Sequence, residues 1–132
     1  MNGQPHHPDA DTIERLARAA LARIPEPFAS HLGNVVLIVE EFADRETLDM
    51  MEIESRWGLL GLYHGRPIGE KSSFDSGALP DMIRLFRQPM LAEADRDGVT
   101  AAEMVNHVVV HEVGHHFGLS DDDMHLLEDS AD

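Results

Sequence analysis

The chain has no cysteine. Disulfides, thiolate metal sites and cysteine nucleophiles are therefore excluded, and any metal site must be built from His, Asp and Glu. Positive charge is scarce as well: 10 Lys and Arg stand against 25 Asp and Glu, a formal net charge of −15. That argues against a nucleic-acid or anionic-membrane surface, since both need basic patches. It is compatible with cationic peptide partners, but a surface this acidic is first of all a solvated one. No apolar run approaches the roughly 20 residues of a membrane span. The first residues mix acidic with basic side chains and lack the apolar stretch of a secretory signal. A cytoplasmic protein is expected.

What is present suits one domain with a single core: 132 residues, 42% of them hydrophobic. Residues 1–10 are polar, with Pro5 and Pro8, and are expected to form a disordered arm before a single domain over 11–132. Asp11 with Glu14 resembles a capping box, and Ile13, Leu16, Ala20, Leu21 and Ile24 repeat at helical spacing until Pro25. Three strands are expected, from Asn34 to Glu40, Gly58 to His64 and Asp81 to Arg87, with a short helix near Leu48 and Met51. Lys71 to Pro80 reads as a loop, and Pro89 opens a short helix to about Ala94. Asp95-Arg96-Asp97-Gly98 suggests a calcium loop until Gly98 is set at position six. Met104 then falls at twelve, where a bidentate Glu is needed, so the segment is a helix-to-helix turn. Thr100 with Glu103 caps a long helix from Ala101 to about Phe117, with Met104, Val108 and Val109 toward the core.

That helix carries the chemistry. Residues 111–121 read H-E-V-G-H-H-F-G-L-S-D. His111 and His115 are four apart and share one helix face, so both can reach one Zn²⁺ at roughly 2.0–2.1 Å. Glu112 stands beside the first of them, where it can take a proton from a water polarised by the metal. In a chain of this composition H-E-x-x-H alone arises by chance in roughly 5% of shuffled sequences. Requiring Gly118 and Asp121 as well lowers that to roughly 0.05%. Had the helix continued, residue 121 would lie about 120° round and about 9 Å further along, out of reach. Gly118 is the residue that stops a helix, because it accepts positive φ without penalty. Asp121 follows three residues later, with a carboxylate that can complete a site of three protein ligands and one open position. His107, one turn before His111, reads first as a surface histidine and second as a residue orienting that ligand. His116 is expected to be solvated.

The pattern H-E-x-x-H-x-x-G-x-x-D resembles the Asp-zincin metallopeptidases, and within them the mini-zincins, small single-domain bacterial proteins. Val109 to Asp121 is similar to that family, as are the segments Ser72 to Pro80 and Leu59 to Tyr63. The resemblance implies a minimal α+β zincin-like domain, with a small mixed sheet of about three strands packed on the motif helix. It implies one Zn²⁺ per chain on His111, His115 and Asp121, with Glu112 as the catalytic acid/base.

The expected function is zinc-dependent hydrolysis of a peptide bond in a peptide or protein substrate. The substrate would lie between the motif helix and an edge strand and pair by β-augmentation. Tyr63 and His64, donors at a strand end, are candidate oxyanion stabilisers, with core or surface packing the favoured reading of both. The competing function is a non-catalytic zinc- or peptide-binding module. A fourth protein ligand from Asp122, Asp123 or His125 would close the site and favour it, whereas a purely structural site has no need of Glu112.

Overall fold

A computed structural model of the chain describes residues 7–26, 28–32, 35–65 and 81–119. Helix α1 (Ala10–Ala22) begins two residues earlier than the Asp11–Glu14 pair suggests, because the carboxylate of Asp9 reaches the Thr12 N–H at 2.9 Å and caps it. The Pro8 carbonyl accepts from Arg87 Nε at 2.7 Å. Residues 1–6, the greater part of the expected arm, lie outside the described residues. A five-residue helix, α2 (Phe28–Leu32), leads into strand β1 (Val36–Glu40). Helix α3 (Arg45–Met50), capped by Asp44, and a single 3₁₀ turn (Arg56–Gly58) precede strand β2 (Gly61–His64). Strand β3 (Met82–Phe86) runs straight into α4 (Arg87–Asp97), which is longer than the expected helix and starts before Pro89. Gly98, at φ 70°, turns the chain into the motif helix α5 (Ala101–His116).

The fold is α+β with a mixed sheet, as the resemblance implies, and the strand order among the described residues is β1-β3-β2. β1 lies parallel to β3 and β2 antiparallel to it. Strand alternation sends Leu37, Ile83 and Leu85 to one face, where they meet Ile13, Ala17 and Ala20 of α1 and Val105, Val109 and Val113 of α5. Phe86 turns to the other face and packs with Leu48 and Leu59. Met104, Val108 and Val109 are all buried, as their spacing predicts.

Packing, not propensity, holds α5 as a helix. Each of Val108, Val109 and Val110 is a poor helix former, by up to about 0.7 kcal/mol relative to Ala. Burying each side chain contributes roughly 1.5–3 kcal/mol, so burial wins. The start of α5 is fixed by the expected capping box: Thr100 Oγ1 accepts from Glu103 N–H at 3.0 Å, and Glu103 Oε1 accepts from Thr100 N–H at 2.9 Å. Its end is fixed by Gly118 at φ 73°. There the Leu119 N–H bonds the Gly114 carbonyl at 2.9 Å and the Gly118 N–H bonds the His115 carbonyl at 3.1 Å, the paired bonds of a Schellman turn. Among the described residues no helix is long and apolar enough to cross a membrane.

The far end of the sheet is tied by charge. Arg84 Nη2 meets Asp44 Oδ1 at 2.9 Å and Arg84 Nε donates to Glu40 Oε1 at 2.8 Å. Asp44 also accepts from Thr47 Oγ1 at 2.6 Å. Hydrogen bonds from Thr47, then Arg84, hold the Asp44 carboxyl well below the usual carboxylate range. The Thr12 and Thr100 amides likewise lower Asp9 and Glu103. A carboxyl lowered by folding stabilises above its unfolded value, near 3.8 for Asp, and loses that contribution as pH falls further. Asp44→Ala is therefore expected to melt below the wild type at pH 7. That difference should shrink steadily as pH drops below about 4. Thermal melts of both proteins from pH 7 to 3 check it, and a pH-independent difference would remove Asp44 from the acid response.

Candidate functional site

One surface of α5 and the edge of the sheet make the site. Gly61 permits the contact: a Cβ there would lie 2.7 Å from Val108 Cγ1 and 3.3 Å from Leu85 Cδ2. With no side chain in the way, β2 lies directly along α5. The pairing of Leu60, Leu62 and His64 with β3 turns the backbone groups of Gly61 and Tyr63 outward, toward the edge. The outward Tyr63 N–H donates to Glu112 Oε1 at 3.1 Å. Glu112 is thus anchored by a residue 49 positions away. Burial pushes its carboxyl above the ordinary glutamate value, against the opposing pull of His115 and the Tyr63 amide.

His111 and His115 project from the neighbouring stripe of the same helix. Their rings are nearly perpendicular, with centroids 6.2 Å apart. With Zn–N bonds of roughly 2.0–2.1 Å, a tetrahedral ion holds two imidazoles with their centroids about 5.2 Å apart, so the pair must close by about 1 Å to share one ion. Two imidazoles suit a borderline divalent ion, zinc among them. His111 is partly buried and His115 exposed, so the pair opens outward at its C-terminal end. His107 packs on His111 with centroids 4.1 Å apart, which limits the orientations of the His111 ring. Among the described residues no third His, Asp or Glu completes a metal-holding group. Asp121, the expected third ligand, lies outside the described residues, as do Asp122, Asp123 and His125.

One sequence expectation is corrected here. His116 is not solvated: its side chain is 7% exposed and stacks on the Tyr63 ring at 4.1 Å and 12°. It lies one turn beyond Glu112, on the stripe that faces β2, so the strand covers it. Tyr63 and His64 pack as their favoured reading expects. The Tyr63 hydroxyl donates to Asp81 Oδ2 at 3.0 Å. His64 alternates to the opposite face of the sheet, beside Arg84, where burial lowers its basicity.

The motif helix thus sets paired imidazoles and an adjacent carboxylate along the antiparallel edge of a mixed sheet. The chain belongs to the zincin-like metallopeptidase family, whose model matches residues 32–131. No curated protein matches it.

Proposed function

We propose that this protein hydrolyses peptide bonds, with one Zn²⁺ per chain held by His111, His115 and Asp121 and with Glu112 as general base and acid. The observation that carries the reading is the Glu112 carboxylate, raised by burial, next to an imidazole pair and tethered to the edge strand. A structural metal site gives no reason for a partly buried carboxylate in that position.

Zinc, when bound, supplies Lewis acidity toward a carbonyl and a water. Everything else falls to the chain. Glu112 Oε1 is committed to the Tyr63 amide. Its Oε2 is the atom that accepts the proton of the attacking water and later returns it to the leaving amine. The tether fixes the carboxylate plane, and burial raises its proton affinity above that of an ordinary glutamate. An extended peptide adds to the outer edge of β2 and pairs with the outward N–H and carbonyl of Gly61, leaving the Tyr63 N–H to Glu112. His107 restrains the His111 ring, which keeps the donor nitrogen aimed.

Zinc-loaded protein should cleave unstructured peptides from a broad library. A chelator should abolish cleavage, and added zinc should restore it. Full zinc with no cleavage anywhere in the library would replace the hydrolase reading with a zinc- or peptide-binding module.

A further inference from the structure

We infer that Tyr63 is the positioning residue of Glu112, and that His116 and Asp81 lock it in place; this deepens the hydrolase reading and rests on it. Tyr63 is held at three points. Its backbone N–H bonds Glu112, its ring lies flat on His116, and its hydroxyl bonds Asp81. Glu112 and His116 are four residues apart and share one stripe of α5, so both anchors come from one rigid element. Asp81, just before β3, closes the clamp from the sheet side, and its Oδ2 lies 3.8 Å from His116 Nε2. Asp81 and His116 are 10% and 7% exposed, so the clamp is almost dry. Burial and the neighbouring Asp81 push the Tyr63 hydroxyl far up, so it stays a donor.

The clamp does something a simple core contact does not. A strand–helix pair held only by apolar packing can slide by fractions of an ångström. Here a stacked ring and a directional hydrogen bond fix the strand position that aims the amide at Glu112. Misplacing a reacting group by about 1 Å can cost 10²-fold in rate. The proposed reaction gives His116 and Asp81 no direct part with metal or substrate. They act on the rate through Tyr63, and on binding hardly at all.

The test uses zinc-loaded full-length protein with His116→Ala, His116→Phe and Tyr63→Phe. His116→Ala removes the stack, and kcat should fall by about 10–100-fold with KM and zinc content within about twofold of wild type. His116→Phe restores a flat ring under Tyr63 and should recover most of kcat. Tyr63→Phe removes only the hydroxyl arm and should give a smaller fall in kcat. It also keeps the test alive should His116→Ala not fold. Amide hydrogen exchange is the readout free of catalysis: the Tyr63 N–H should exchange faster in His116→Ala than in wild type. Two results overturn the clamp. One is wild-type kcat in His116→Ala with unchanged Tyr63 protection. The other is His116→Phe no better than His116→Ala, since imidazole chemistry and not stacking would then matter. A wild type that cleaves nothing sinks the hydrolase reading alone, because Tyr63 exchange still reports the clamp.

Discussion

Protein with His111→Ala or His115→Ala is expected to bind zinc at least about 100-fold more weakly than wild type. Changing an outer partner of a ligand already costs 10–100-fold, and a lost ligand costs more. Either change leaves one imidazole, and a single imidazole with one carboxylate does not make a three-ligand site. The two variants should differ in stability. His115 is exposed, so its loss should leave the melting temperature of the metal-free fold nearly unchanged. His111 is partly buried against His107, so its truncation removes a ring contact and should lower the melting temperature modestly. Asp121→Ala should weaken zinc far more than Asp122→Ala or Asp123→Ala. Elemental analysis and competitive chelator titration measure these five and His125→Ala. Full zinc occupancy in either histidine variant would end the assignment. Equal losses across the three aspartates, or a dominant loss in His125→Ala, would move the third ligand elsewhere.

The parts of the site legible in the sequence are those fixed by local rules. The capping box at Thr100 and Glu103 and the positive-φ stop at Gly118 bracket α5, and both lie within a turn of the backbone groups they satisfy. The strands could be read from alternation and β-branching, and the mixed sheet from the resemblance. What was not legible depends on distant residues. His116 reads as a surface histidine until β2 is laid over it, and the spacing of α5 contains no trace of that strand. The Tyr63–Glu112 bond spans 49 residues. Gly61 was the available signal: a glycine inside an apolar strand run marks a close approach of another element. α2 was missed because five residues after Pro25 are too few to show a period. The start of α1 was placed late because Asp9 and Asp11 are both good caps, and only the bond to Thr12 decides between them.

Glu112→Gln should separate chemistry from construction most sharply. The amide keeps the shape of the side chain and an oxygen that can still accept the Tyr63 N–H, so the tether survives. What it loses is the capacity to take a proton. Hydrolysis should fall by roughly 10²–10⁴-fold, the usual scale for an acid/base group, while zinc content stays at the wild-type level. The fold should not suffer. Burial disfavours the ionised carboxylate, so replacing it by a neutral amide should leave the melting temperature at pH 7 the same or higher. Glu112→Ala should lose the same activity and the tether with it, and the Tyr63 amide should then exchange faster. A glutamine variant that cleaves at the wild-type rate would hand the proton to another group. One that loses its zinc along with its activity would make Glu112 part of the metal's support and not the base. Retained zinc, a retained tether and lost turnover together are the result expected when the second carboxylate oxygen, and with it the proton transfer, is what the variant has lost.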